Sequence, residues 1–389
     1  MLESIVVYGS LTLIMVICGC YASRRQYVFE KKNGLFGSRQ ELDFDYFEVL
    51  LPIVLFTFIF GCRFDVGIDQ LTYLKWYIEG VPDRKEFLWR YTANVLSGCG
   101  VHSAVYFAIW AFVQVFLLYY TIKNYRYLFP YVAFYLIVGK FFLSMMNTIR
   151  FSTVACIFLY STKYIINKQF FKYCLCMLIS ILIHKTAIVL LVFYPIFKYK
   201  TSWFSVRSQI IILVISLLLM FYRETALDIC SRIFTFFVDL FNYKSAYGYA
   251  FYNPKVGVNL FNQGAKFGRN TGLGEIVTLF VGLIIMINHK KMQKKYESPL
   301  FNISYTLWFI SFAFGLIAGK SFVLGRPLLY LEPFKLLTLA YFTHYCFSSK
   351  KFTKQAMGAF FILLYMVLFI NIISMGEVNK SAFTFFWQH

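Results

Sequence analysis

Arg63, Asn147, Arg150, His184 and Arg326 are charged or amide-bearing side chains set in or beside long apolar runs. Each is costly in hydrocarbon, so several together mark a water-accessible site suited to an anionic ligand. A guanidinium keeps its charge in any protein environment and offers a fork of donors that matches phosphate oxygens. An imidazole beside an aqueous cavity can take up a proton near neutral pH. The segment from Arg63 to Tyr73 adds two carboxylates, Asp65 and Asp69. If the residues after Gly67 are helical, Asp69 and Tyr73 share one face. Asn147 and Arg150 stand three residues, one helical turn, apart at a turn between two runs, and Tyr330 follows Arg326 four residues on, where a helix would put both on one face. Each feature alone has a plainer reading: Asp69 as a helix cap, the arginines as interfacial anchors, His184 as a hydrogen-bonded packing residue. Their convergence on one face of a membrane is the stronger signal.

That face follows from the elements. The 389 residues are 59% hydrophobic and 21% aromatic, with only 14% charged, which is too apolar for a soluble domain of this size. Apolar runs fall near 5–22, 46–62, 102–121, 128–146, 150–166, 172–184, 186–198, 208–222, 273–289, 299–318, 327–346 and 355–374. The chain is therefore expected to be an all-α polytopic integral membrane protein with about twelve transmembrane segments, some short or re-entrant. The first run lacks a basic leader and a small-residue cleavage site and reads as a retained helix. Basic clusters follow every second run, including Arg24 and Arg25, Lys123 and Arg126, and Lys290 to Lys295. By the positive-inside rule these are cytoplasmic and both termini are outside. His184 and Lys185 alone separate the sixth and seventh runs, which are expected to form a tight hairpin or two half-helices with His184 at the outer apex; a single tilted helix is the alternative.

The net charge of +20 is divided among these loop clusters, which argues against nucleic acid as a partner. The nine cysteines show no metal-ligand or paired-loop spacing and are expected to be reduced. No repeat or linker interrupts the chain, so residues 1–389 read as a single transmembrane domain with extracytoplasmic loops of about 63–101 and 223–272. The second loop is rich in Tyr, Asn and Gly, from Tyr243 to Gln263, a composition that suits a sugar-binding surface and equally an interfacial belt.

In order and spacing, Arg63…Gly67-x-Asp69…Tyr73, Asn147-x-x-Arg150, His184-Lys-Thr-Ala187 and Arg326…Tyr330 together resemble the EpsG family of Wzy-like polysaccharide polymerases. Phe151 and Thr186 depart from the family's usual Gln and Ser. The resemblance implies a GT-C-like, inverting, metal-independent glycosyltransferase without cofactors, in the bacterial cytoplasmic membrane, its active site facing the periplasm or cell exterior. Its substrates would be undecaprenyl-pyrophosphate-linked oligosaccharide donor and acceptor within membrane lipid, with a chain-length regulator as a further partner. On that basis Arg63, Arg150 and Arg326 would bind pyrophosphate, and Asp65, Tyr73, Glu86, Asn147 and Tyr330 the sugars. Asp69 and His184 are the candidate bases, with Asp69 slightly favoured. An O-antigen ligase-like enzyme would share the chemistry, and a sugar-lipid flippase would share an arginine-rich cavity, though with its cations along helix midplanes.

The charge pattern makes a direct prediction. With the native cysteines removed, Ala250→Cys should react with a membrane-impermeant thiol reagent and Gln293→Cys should not; the opposite pattern would reject the topology.

Overall fold

The computed structural model describes residues 2–33, 47–82, 85–222, 273–318, 322–376 and 380–388, together with residues 225 and 229. The loop 223–272, with the Tyr-rich stretch, therefore lies almost wholly outside the described residues. Among those described, every regular element is helical, and an isolated antiparallel bridge joins Arg63 to Phe385. The helices are α1 (Leu2–Asn33), α2 (Phe47–Gly61), α3 (Gln70–Glu79), α4 (Phe87–Gly98), α5 (Ser103–Thr121), α6 (Phe129–Val138), α7 (Phe141–Asn147), α8 (Ile149–Ile166), α9 (Phe170–Ile183), α10 (Phe193–Tyr199), α11 (Val206–Phe221), α12 (Leu273–Tyr296), α13 (Pro299–Ala318), α14 (Phe322–Leu329), α15 (Glu332–Phe347) and α16 (Phe352–Ser374). Short 3-10 turns cover Arg126–Leu128, Lys185–Val192 and Phe386–Gln388.

Each of the twelve apolar runs lies mainly on helix, with breaks inside the fourth and eleventh and a 3-10 stretch opening the seventh. Length and apolarity alone qualify five helices as membrane-crossing, or six if α6 and α7, bent by 58°, count as one span. Shorter apolar helices such as α2, α9 and α11 accompany them. The eleventh run is split: α14 ends at Leu329 and α15 begins at Glu332, so Tyr330 is a turn residue and does not share a helical face with Arg326.

The chain divides into two compact units, residues 1–200 with 332–389, and residues 201–331. In the second, α11 and α12 pack on α13. Its buried polar centre is Gln209, whose amide bonds His289 Nδ1 at 3.0 Å and accepts from the Tyr305 hydroxyl at 2.6 Å, while the imidazole stacks on the Tyr305 ring at 3.7 Å.

In the first unit α1 packs on α6 and α2, α5 lies between α2 and α8, and α15 joins α6 to α16. The α1–α6 approach is so close that a Cβ at Gly19 would lie 2.6 Å from the Pro130 nitrogen, which excludes other residues there. Two breaks in this bundle position the site. The first separates α7 from α8 at Thr148. Carbonyls freed by a broken helix must find donors, because hydrocarbon supplies none. Ser144 O accepts from the Thr148 and Ser152 hydroxyls at 2.8 and 3.1 Å, and Met146 O accepts from Arg63 Nη2 at 3.1 Å. The second break follows Ile183. The chain reverses there, so that the Tyr173 hydroxyl donates to Leu190 O at 2.5 Å and the Phe170 ring meets Tyr194 at 5.0 Å. The sixth and seventh runs thus form a hairpin with His184 at its apex.

The segment between α2 and α3 is held from below by Arg63 and from the side by residues 380–388. Arg63 is 1% exposed, and its guanidinium donates to Phe60 O at 2.5 Å and Val66 O at 3.4 Å besides Met146 O. Alongside, Gly67 N–H donates to Lys380 O, Phe64 N–H to Thr384 O, and Phe386 N–H to Cys62 O, at 2.8 to 3.0 Å. Gly67 has φ +95°, a region that favours glycine.

Removing the Arg63 clamp leaves buried carbonyls from three segments unpaired. Arg63→Met is expected to cost on the order of 3 kcal/mol, read as a lower unfolding temperature in detergent; an unchanged temperature would show that the clamp carries no weight.

Candidate functional site

Three chain reversals in the first unit meet at Glu86. This residue precedes α4 with extended backbone angles, and its carboxylate is not spent on capping the helix. Glu86 Oε2 accepts from Arg150 Nη1 at 2.6 Å, and Oε1 is 2.8 Å from His184 Nδ1. The three side chains are 10–12% exposed. A buried carboxylate bridging a guanidinium and an imidazole is a charge-assisted network, stronger than a surface ion pair. Burial alone would raise the Glu86 carboxyl, but the hydrogen bond from His184 and the charge of Arg150 outweigh it and hold it down at about 2.

Each partner is fixed by the fold around it. Arg150 sits in the first turn of α8, which Gln114 of α5 anchors by donating to Ile149 O at 3.1 Å and Thr153 Oγ1 at 3.0 Å. Its guanidinium lies 5.8 Å from the Trp89 ring centroid, and its charge acts on the Tyr73 phenol. Burial pushes the Tyr73 phenol up, opposed by Arg150, so Tyr73 is a neutral hydroxyl at physiological pH. Trp89 is packed against Tyr73, Tyr106 and Trp110, with ring centroids 5.1 to 5.5 Å apart. His184 closes α9 with φ −154° and ψ 113°, and the Phe151 ring abuts it edge-on at 4.1 Å. With Nδ1–H donated to Glu86, the basic lone pair of the neutral ring lies on Nε2.

Asp69 stands at the N-cap of α3 with no side-chain capping bond, half-buried, and its backbone N–H donates to Asn147 Oδ1 at 2.9 Å. One turn on, Tyr73 feels the charges of both Asp69 and Arg150. The expected sharing of a face by Asp69 and Tyr73 is therefore what links the α3 segment to the Glu86 cluster.

The other residues singled out from the sequence occupy different positions. Arg63 is consumed by the backbone carbonyls described above; burial lowers its guanidinium to about 9, which leaves it charged at neutral pH. Asp65, at φ +51°, is ion-paired with Lys380 at 2.5 Å. Asn147 is a brace for the Asp69 backbone. Arg326, half-buried near the end of α14, and Tyr330 belong to the second unit.

Several supporting residues escaped the sequence reading. Gln70 is 1% exposed, with Oε1 accepting from Val66 N–H at 2.7 Å and Nε2 donating to Arg63 O at 2.9 Å. Gln114 had a legible signal, a lone amide inside an apolar helix. Trp89 and Lys380 had none, since their roles depend on partners distant along the chain.

The first unit is thus the architecture of a polytopic membrane protein whose broken helices converge an acid, a base and a guanidinium. The chain belongs to the EpsG family, the Wzy-like polymerase family, whose model matches residues 47–387. No curated protein and no solved structure matches it. Membership makes it a polysaccharide polymerase-like membrane protein of glycosyltransferase type.

The depressed Glu86 carboxyl has a definite sign. Its contribution to stability is fully present above its ordinary value of 4.5 and is lost only as pH falls toward about 2. Across the neutral range Glu86 stays ionised, so an acid-side loss of activity reports another group. Glu86→Gln keeps the shape but removes the charge shared by Arg150 and His184, and activity should fall by about 10²–10⁴-fold. A variant with near-normal turnover at matched protein level would deny the bridge any part in the reaction.

Proposed function

We propose that this protein joins lipid-linked oligosaccharide repeat units at the outer face of the bacterial cytoplasmic membrane, with undecaprenyl pyrophosphate as leaving group. The observation that carries the reading is Glu86 bound at once to Arg150 and His184 in a chain of the EpsG family. In the reaction, an acceptor sugar hydroxyl attacks the anomeric carbon of the donor glycan from the side opposite the pyrophosphate. The carbon–oxygen bond to pyrophosphate breaks, its electron pair leaves with the phosphate, and the anomeric centre is inverted. The hydroxyl proton passes to a base on the protein.

The Glu86–His184 bond favours His184 over Asp69 as that base. A carboxylate fixing Nδ1–H aims an imidazole and stabilises the imidazolium that forms, the logic of base and orienting acid in hydrolytic triads. Asp69, half-buried beside Tyr73, then holds the acceptor hydroxyl. Arg150 stabilises the charge developing on pyrophosphate. It begins a helix, where the positive end of the dipole adds to the effect, and such preorganised cations can serve without a metal ion. The growing chain is the donor, the incoming repeat unit is the acceptor, and a chain-length regulator is a further partner.

Deletion in the host followed by a gel of surface glycans tests the class: a single-repeat product supports polymerisation, whereas loss of all attached glycan indicates a ligase or flippase. Complementation at equal protein level then tests the residues. Arg150→Lys should lose at least about 10²-fold in activity, because an ammonium cannot supply the guanidinium fork. His184→Gln should be more impaired than Asp69→Asn, and the wild-type enzyme should lose activity on the acid side of neutrality. A functional His184→Gln protein beside a dead Asp69→Asn protein would move the base to Asp69.

A further inference from the structure

Residues 380–388 brace the Cys62–Gly67 segment, and the end of this strap carries an aromatic surface unrelated to bracing. Trp387 is 54% exposed. Its ring is held by stacking on Phe385, with centroids 4.3 Å apart and planes within 12°, and by the edge of Phe386 at 5.0 Å. The exposed Gln388 amide is fixed beside it, Oε1 accepting from Phe385 N–H at 2.7 Å. His102 packs on Phe386 at 4.9 Å. A rigid, exposed indole next to an immobilised amide presents one flat apolar face and polar groups matched to hydroxyls, the combination that a pyranose ring requires.

We infer that Trp387 and Gln388 form a stacking subsite for pyranose rings of the glycan chain, set apart from the reacting sugars. This rests on the polymerase reading and extends it to the body of the polymer. The strap pairs residue 386 with residue 62, and the chain from Cys62 to Asp69 can span at most about 25 Å. Trp387 therefore lies within a short oligosaccharide of the acceptor position. The Gln388 amide held beside the indole supplies the polar partner that sugar hydroxyls need and acyl chains do not.

The test uses full-length protein in nanodiscs, with oligosaccharides released by mild acid from the host's own surface polymer as probe. Trp387→Ala should weaken binding at least about fivefold and shift the polymer made in the complemented strain toward shorter chains, whereas Trp387→Phe should keep most of both. Equal unfolding temperatures exclude a folding defect, and Gln388→Ala provides a second variant that leaves the indole in place and should also weaken binding. Unchanged binding in Trp387→Ala, or strong quenching of Trp387 by brominated lipids, overturns the subsite and identifies a membrane anchor; if the deletion strain still loses its polymer, the polymerase reading stands. Absence of glycan binding to the wild type, together with normal polymer in the deletion strain, overturns both.

Discussion

The first unit depends on satisfying one buried carboxylate. Glu86 stands at the meeting point of three chain reversals, and an anion with this little exposure would be strongly destabilising without partners. Arg150 and His184 supply them from a helix start and a hairpin apex. The pairing is reciprocal, since the guanidinium is itself costly away from water and the imidazole needs an acceptor to fix its tautomer. A single set of bonds therefore stabilises the convergence of α4, α8 and α9 and determines where charge and basicity reside.

The same requirement explains the broken helices. A continuous helix satisfies its own backbone, and each interruption exposes carbonyls and N–H groups that need other partners. At the Thr148 break the partners are the Thr148 and Ser152 hydroxyls and the Arg63 guanidinium. The amide of Asn147, at the end of α7, is then directed to the Asp69 backbone. The polar side chains of this region thus divide into two groups. Arg63, Asn147 and Gln70 hold irregular backbone, while Glu86, Arg150, His184 and Asp69 carry the charge and basicity on which the proposed reaction draws.

The strap of residues 380–388 extends this division of labour. Its backbone fixes the Cys62–Gly67 segment from the side, and its salt bridge from Lys380 to Asp65 stabilises two residues that both have positive φ. The segment leading to Asp69 is in this way held by parts of the chain more than 300 residues away.

What the sequence determined by itself was whatever depends on local composition and period. The helical runs, the hairpin at His184, the α3 face shared by Asp69 and Tyr73, and the membership signalled by Arg63, Asn147, Arg150 and Arg326 all follow from apolar length, charge placement and short spacings. Tertiary structure alone decided which polar residues meet. Glu86 read as one acid in a loop of mixed charge, yet it bonds a residue 64 positions away and another 98 positions away. Arg63 read as a phosphate ligand, yet it is buried with three of its five donors on backbone carbonyls. Side-chain chemistry is written locally, but the partner that tunes it is selected by how broken helices return through the bundle, and no short-range pattern encodes that return.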